Sequence, residues 1–290
     1  MAIPKIATYP IPSTDNLPHQ RLTWQPEASR VALLIHDMQD YFLDFYDVEA
    51  EPIPTLVSNL LALRDRCDAL GIPVIYTAQP GQQEESQRGL LTPFWGAGVT
   101  AKPERATIFS PLAPKPQHHV LDKWRYSAFQ RSPFEDLLRE AGRDQLIIGG
   151  IYAHIGVLMS AGEAFMRDIQ PCVVADAVAD FSPERHAMAL DYVASTCGAI
   201  RTSAELLEAL PVASTTQPTL RDRLAKLLDI QAAEIGADDN LMELGLDSIR
   251  LMSLIEELRT AGHSVKLETL AECMTLSAWN SVLEEAPRAA

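Results

Sequence analysis

The chain has 290 residues, of which 47% are hydrophobic, and a formal net charge of −15. This length allows one large and one small domain, and the acidity argues against non-specific binding to nucleic acid or anionic membranes. The sequence has no run of roughly 18 apolar residues and no signal-peptide pattern, and its four cysteines lack metal-ligand spacing. We therefore expect a cytoplasmic protein with reduced thiols, no membrane span and no metal site.

Strand and helix patterns alternate from residue 30 to residue 210. The apolar run Val31 to Ile35 predicts a strand buried on both faces. An amphipathic helix from about Pro54 to Leu70 and a strand over 72–76 complete a βαβ unit. Further strands are predicted at 119–123, 145–149, 171–175 and 199–202, and further helices at 132–141, 157–168, 182–195 and up to about 210. The alternation predicts a three-layer α/β sandwich around a parallel sheet.

The remaining segments break this alternation. Residues 1–28 show no regular period and are predicted to form an arm over the domain. Residues 79–118 are predicted to form a long irregular loop, and a loop of that length is usually functional. Small polar residues and flanking prolines predict a linker at 211–216. Residues 217–290 have helical periodicity and almost no strand pattern, which predicts a second domain that is a four-helix bundle. The first domain is predicted to be 1–210.

Polar and glycine residues stand at the ends of three predicted strands. Asp37 follows the first strand, Lys123 ends the third, and a glycine-rich turn over 149–157 leads from the fourth strand into a helix. Ligands of open α/β sheets bind beyond the carboxyl ends of the strands. A partly buried carboxylate there can hold or give a proton, so Asp37 is the first candidate for catalysis. Capping of the next helix is the alternative role for Asp37.

Three strings around these positions resemble the isochorismatase-like, or cysteine hydrolase, superfamily over roughly residues 1–210. They are IHDMQDYF (35–42), KWRYSAF (123–129) and YAHIG (152–156), and they match its isochorismatase branch. Amidases of the superfamily have a nucleophilic cysteine where this chain has Gly156, so covalent thiol catalysis is excluded. The resemblance implies hydrolysis of the vinyl ether of isochorismate, in which an acid protonates the terminal methylene and water captures the resulting oxocarbenium ion.

The resemblance also implies roles for individual residues. Asp37 would be the general acid, Lys123 would orient it, and Gly156 would leave room for the substrate. Gln79 and Arg88 would bind the two substrate carboxylates. The aromatic walls would be Phe42, Trp95, Tyr126 and Tyr152, with a cis peptide bond between Ile151 and Tyr152. Composition alone leaves core packing open for Tyr126 and a solvated surface position open for Arg88, and it favours a structural role for His154.

A second motif, LGLDSI at 244–249, precedes an amphipathic helix. An N-cap serine is the simplest explanation for an isolated Asp-Ser at such a place. The full string resembles the attachment site of acyl and peptidyl carrier proteins, which implies that the Ser248 hydroxyl carries 4′-phosphopantetheine. Ile249 and Met252, with Leu267 and Ala271 on the next short helix, would then form an apolar surface for partner enzymes. Core packing of these four residues is the alternative.

Together the two motifs resemble the bifunctional isochorismatase and aryl carrier proteins of catechol siderophore synthesis. The implied reaction is isochorismate plus water to 2,3-dihydro-2,3-dihydroxybenzoate and pyruvate. The implied partners are a phosphopantetheinyl transferase, a 2,3-dihydroxybenzoate-AMP ligase and a condensation domain of a nonribosomal peptide synthetase, and the chain is expected to form a homo-oligomer. Mg²⁺ would be needed by the transferase but not by the hydrolysis.

Three other functions remain open. The first is a phenazine-type hydrolase acting on 2-amino-2-deoxyisochorismate, which the carrier motif opposes. The second is an amidohydrolase of the same superfamily, which Gly156 opposes. The third is a carrier scaffold whose α/β half has no activity, against which the presence of Asp37 and Lys123 counts.

Overall fold

The computed structural model describes residues 3–211, 219–260, 267–271 and 273–285. The chain divides into two units, Met1–Val212 and Ala213–Ala290. The predicted linker at 211–216 lies, from residue 212 onward, outside the described residues, and the predicted domain boundaries stay a prediction. No helix in the described ranges has the length and apolar character needed to cross a membrane.

A six-stranded parallel sheet forms the centre of the first unit, in the order β3-β2-β1-β4-β5-β6. Its strands are β1 Val31–His36, β2 Val74–Ala78, β3 His119–Asp122, β4 Gln145–Ile151, β5 Gln170–Ala179 and β6 Ala199–Arg201. All six predicted strands are present, and the α/β class is confirmed. β5 extends well beyond its predicted end. It includes Asp176, a residue type disfavoured in strands, whose carboxylate accepts from the backbone N–H and the hydroxyl of Ser203.

In the described residues of the first unit, eight α-helices alternate with the strands or lie in the loops. They are α1 Asp40–Leu43, α2 Ile53–Ala69, α3 Glu85–Arg88, α4 Leu91–Trp95, α5 Phe134–Glu140, α6 Leu158–Met166, α7 Pro183–Thr196 and α8 Ser203–Ala209. The segment 79–118 is therefore not irregular throughout, since it contains α3, α4 and several 3-10 turns. Ser182 caps α7 by accepting from the Arg185 N–H. α5 begins two residues after Ser132, whose hydroxyl accepts from the Phe134 N–H at 3.3 Å.

The β1 strand separates two apolar cores. Val31, Leu33 and Ile35 pack into one core, and Ala32 and Leu34 pack into the other. This division follows from the alternation of side chains along a strand, and it explains why every position of β1 is apolar until His36. The strand order reverses between β1 and β4, where His36 stands in register with Gly150. That reversal point is where open α/β sheets bind ligands.

The second unit contains four helices in the residues that the structure describes: α9 Leu220–Leu228, α10 Ser248–Thr260, α11 Leu267–Ala271 and α12 Leu276–Glu285. Thr219 caps α9 by accepting from the Asp222 N–H. Leu224, Leu254 and Trp279 are buried in a common core, and the Trp279 indole N–H donates to the Leu270 carbonyl at 2.9 Å. The helices of the second unit thus bury their apolar residues in a core of their own.

Candidate active site

The carboxylate of Asp37 is held between neighbouring strands. It is 5% exposed, its Oδ2 accepts from Lys123 Nζ at 2.7 Å, and its Oδ1 accepts from Thr77 Oγ1 at 2.7 Å. Asp37 follows β1, Thr77 lies in β2 and Lys123 follows β3. The three side chains meet because the carboxyl ends of parallel strands lie at the same edge of the sheet. Asp37 has a backbone φ of +49°, a left-handed conformation that Asp tolerates better than most residues.

Thr77 was not among the residues predicted for the site. The second strand is predicted to end at residue 76, which leaves Thr77 in a loop. In the structure Thr77 is in register with His36, and its hydroxyl accepts from the Asp37 N–H at 3.2 Å while it donates to the Asp37 carboxylate. The feature of the sequence that could have identified Thr77 is a polar residue at the end of β2, next to the polar end of β1.

A pocket opens beside Asp37. Its lining includes the three residues predicted for catalysis and the six predicted for substrate binding: Asp37, Lys123, Gly156, Gln79, Arg88, Phe42, Trp95, Tyr126 and Tyr152. His36, Tyr41 and Phe181 also line it and were not predicted. The structure therefore brings all the predicted residues of the first unit to one place, while their individual roles stay predictions.

Arg88 supplies a buried positive charge to this pocket. It is 5% exposed, its Nε donates to the Gly96 carbonyl at 2.8 Å, and its Nη1 lies 3.5 Å from Gln79 Oε1. Burial lowers the pKa of Arg88, against a smaller opposing effect of Tyr41. The alternative left open by the sequence, that Arg88 is a solvated surface residue, is therefore wrong. A buried guanidinium paired with an amide favours an anionic ligand.

Aromatic side chains enclose the pocket and bond to one another. Trp95 Nε1 donates to the Tyr126 hydroxyl at 2.7 Å, and the Tyr152 hydroxyl donates to the Phe42 carbonyl at 2.9 Å. Tyr152 also packs edge-to-face on Phe42 and on Phe181. The expected cis peptide bond between Ile151 and Tyr152 is present. These rings form the aromatic part of a lining that also contains the polar side chains of Asp37, Arg88 and Lys123.

Gly156 faces the ring of His36. A Cβ atom at residue 156 would lie 2.0 Å from His36 Cε1, far inside van der Waals contact. The space that a cysteine would need is therefore occupied by the imidazole, which gives the glycine a structural reason besides the predicted room for substrate. The buried thiols of Cys67 and Cys172 lie outside the pocket lining, and burial raises the pKa of each to about 12. Neither thiol is a candidate nucleophile.

The other histidine considered has a structural partner. His154 Nδ1 lies 2.5 Å from the buried Asp180 Oδ1, in line with its predicted structural role. In the part of the chain that the structure describes, no three His, Cys, Asp or Glu side chains are close enough to hold a metal ion.

Ser248 is the first residue of α10 and is exposed. The helix is capped by its neighbour, because Asp247 Oδ1 accepts from the N–H groups of Ile249 and Arg250 at 3.0 and 2.8 Å. The N-cap role left open for Ser248 therefore belongs to Asp247. An exposed hydroxyl that is not the cap, at a positive helix terminus, suits attachment of a phosphodiester.

The four residues predicted as a partner surface are exposed. Ile249 is 82% exposed and Met252 56%, and Leu267 and Ala271 are also on the surface. The core of the second unit is formed instead by other residues of α10, among them Leu251 and Leu254. Core packing is thus wrong for these four positions.

Comparison with known proteins agrees with this arrangement. Residues 31–205 match the family model of the isochorismatase domain. The chain belongs to the isochorismatase family. Residues 218–279 match the model of the phosphopantetheine attachment site, so the second unit is a phosphopantetheine-binding domain. The family accounts for the α/β sheet, and the second match accounts for the helical unit.

Curated relatives share both parts or only the first. The chain is 43% identical to isochorismatase from Bacillus subtilis (strain 168), with 98% of this chain and 96% of the relative covered. It is 46% identical to enterobactin synthase component B from Escherichia coli (strain K12), with 98% of both chains covered. It is 47% identical to phenazine biosynthesis protein PhzD1 from Pseudomonas aeruginosa, with 71% of this chain and 99% of the relative covered.

Proposed function

We propose that this protein hydrolyses isochorismate to 2,3-dihydro-2,3-dihydroxybenzoate and pyruvate, and that it carries a 2,3-dihydroxybenzoyl group on phosphopantetheinylated Ser248. The observation that carries the hydrolytic half is the Asp37–Lys123 pair. Its carboxylate borders a pocket that also holds a buried guanidinium and, within the described residues, no thiol.

In the proposed reaction Asp37, in its acid form, gives its proton to the terminal methylene of the enolpyruvyl ether. The resulting oxocarbenium ion is captured by water, and the hemiketal collapses to pyruvate and the ring diol. Lys123 and Thr77 hold the two carboxylate oxygens, so they fix the direction of the transfer and stabilise the negative charge left on Asp37.

Binding of the substrate rests on charge and on the aromatic walls. Arg88, supported by Gln79, receives one substrate carboxylate, and Lys123 adds a second positive charge to the pocket. The walls of Phe42, Trp95, Tyr126 and Tyr152 cover the ring of the substrate. They limit the water that reaches the cation, which strengthens every charge interaction inside.

The carrier half rests on Ser248. 4′-Phosphopantetheine supplies a thiol on a flexible arm, which raises the effective concentration of its acyl group at successive active sites. The exposed acidic residues Glu243 and Asp247 suit a basic patch on a phosphopantetheinyl transferase, and Ile249 and Met252 suit apolar contact with a 2,3-dihydroxybenzoate-AMP ligase and a condensation domain. We further propose a cytoplasmic location and a homo-oligomer.

A phenazine-type reaction on 2-amino-2-deoxyisochorismate is the second candidate for the pocket. The similarity of the first unit to the phenazine protein supports it, whereas that relative matches only 71% of this chain and the phosphopantetheine-binding domain favours siderophore synthesis. The two substrates differ by one amino group for one hydroxyl.

The test is release of pyruvate, measured with lactate dehydrogenase and NADH, from each of the two substrates. A higher kcat/KM for isochorismate supports the proposal, and a higher value for the amino compound supports the phenazine-type reaction. Intact-mass analysis after incubation with coenzyme A and a transferase tests the carrier half. If the protein takes the arm but releases no pyruvate from either substrate, it is a carrier scaffold.

A further inference from the structure

His36 is a buried polar side chain that the proposed reaction does not yet use. It is the last residue of β1, it is fully buried, and it borders the pocket. Its Nδ1 lies 2.9 Å from the Ile151 carbonyl oxygen, a distance that requires a proton on Nδ1. Its Nε2 has no hydrogen-bond partner among the residues that the structure describes. Buried polar atoms are rarely left in that state unless a ligand or water completes them.

The charge state of the ring agrees with an acceptor at Nε2. Burial is the main reason that the pKa of His36 is lowered to about 4; Lys123 also lowers the pKa, and Asp37 and the Ile151 and Tyr126 carbonyls oppose the shift. The imidazole is therefore neutral near pH 7. With the proton on Nδ1, Nε2 has a free lone pair.

Gly156 is the residue that makes this placement possible. A Cβ atom at residue 156 would lie 2.0 Å from His36 Cε1 and 2.7 Å from Nε2. The ring thus extends into the place that the nucleophilic cysteine has in the amidases that this fold resembles. In an enzyme without a covalent intermediate, the attacking group has to be water.

We propose that Nε2 of His36 accepts a hydrogen bond from the water that attacks the oxocarbenium ion and takes the proton of that water. This inference rests on the proposed function. Water that attacks a cation becomes strongly acidic, so even a weak base is sufficient.

The protons balance over the whole reaction. Asp37 gives one proton to the methylene carbon, which becomes the methyl group of pyruvate. The water oxygen forms a bond to the cationic carbon and loses one proton to Nε2. When the bond from that carbon to the ring oxygen breaks, Nε2–H gives its proton to the ring oxygen. The remaining hydroxyl proton of the hemiketal returns to Asp37, and a carbonyl forms.

The experiment uses the full-length protein in D₂O and measures deuterium in the isochorismate recovered at half conversion. In His36→Asn the amide N–H can still donate to the Ile151 carbonyl, but the acceptor at Nε2 is gone. Capture by water then slows relative to loss of a proton from the cation, so the cation returns to substrate with deuterium in its methylene. We expect this exchange together with a loss of kcat of about 10²-fold.

Two further variants serve as controls. His36→Gln, whose amide can accept a hydrogen bond from the water but cannot take its proton, is expected to show the same exchange and a similar loss of kcat to His36→Asn. His186→Asn alters another buried histidine that hydrogen-bonds to a carbonyl but does not line the pocket. It is expected to give no deuterium in recovered substrate. A merely structural role for His36 would lower the rate without any exchange.

The outcomes separate this inference from the proposed function. Recovered isochorismate free of deuterium in His36→Asn, with wild-type protein active, overturns the role of His36 and leaves the proposed hydrolysis intact. Wild-type protein that releases no pyruvate overturns both. Should His36→Asn fail to fold, Gly156→Ala displaces the same ring and is expected to give the same exchange; its absence there counts equally against the proposal.

Discussion

Replacement of Asp37 by Asn tests the buried ion pair and the proposed acid in one variant. Asp37 and Lys123 are 5% and 4% exposed, and their charged atoms are 2.7 Å apart. Removing one partner of such a pair leaves a buried charge unpaired, which costs about 3–5 kcal/mol. The Asn amide oxygen can still accept from Lys123, so we expect the lower end, about 3 kcal/mol. For a unit of this size that corresponds to roughly 6–12 °C in Tm.

The assay follows the thermal and urea unfolding of the full chain by tryptophan fluorescence. Trp24, Trp95 and Trp124 belong to the first unit, and Trp279 belongs to the second. Pyruvate release is expected to fall by about 10³-fold or more, because no other acid replaces Asp37. Loading of the arm should not change, because Ser248 belongs to a separate unit with its own core.

A double variant tests whether the loss of stability comes from the unpaired charge of Lys123. Lys123→Met in the Asp37→Asn background removes the orphaned charge, so it should recover at least about 2 kcal/mol of the lost free energy of unfolding. If Asp37→Asn melts within about 1 °C of wild type and the double variant recovers nothing, the pair does not carry an appreciable interaction energy. If Asp37→Asn keeps a tenth of the activity, Asp37 is not the acid.

Four other predictions concern separate features. Ser248→Ala should gain no mass on incubation with coenzyme A and a transferase, while its pyruvate release stays within twofold of wild type. The control Ser253→Ala, on the same helix, should load normally. Any residual gain of mass in Ser248→Ala would show that another serine carries the arm. Arg88→Gln should lower kcat/KM for isochorismate by about 10²-fold, since a buried charged hydrogen bond to a carboxylate is worth roughly 3 kcal/mol; an unchanged kcat/KM would contradict carboxylate binding. Ile249→Ala should weaken transfer to a condensation domain without affecting pyruvate release, and equal losses in both assays would argue against a partner surface. The His36 pKa is about 4 in the folded protein and near 6.5 in the unfolded chain, so the unfolded chain binds more protons between these pH values. The free energy of unfolding should therefore fall by about 3 kcal/mol as the pH drops from 6.5 to 4. The fall should be smaller in His36→Asn. Parallel urea titrations at pH 6.5 and 4 would measure that difference, and equal pH dependence in both proteins would contradict it.

The sequence by itself determined the features that a local pattern encodes. The apolar run of β1 predicts a strand buried on both faces because only a central parallel strand needs apolar residues at every position. The polar residues after β1 and β3 placed Asp37 and Lys123 at one edge, since parallel strands share their direction. The LGLDSI string located Ser248 at a helix start, where the turn and the helix are short-range structures.

Only the tertiary structure decided which groups meet across those elements. Thr77 bonds to Asp37 because β2 pairs in register with β1, and strand register depends on contacts distant in sequence. Whether Asp247 or Ser248 caps α10 depended on side-chain geometry that two adjacent capping residues leave open. His36 and Gly156 lie 120 positions apart in the sequence. The imidazole of His36 fills the space that a side chain at residue 156 would need, and this contact follows only from the pairing of β1 with β4.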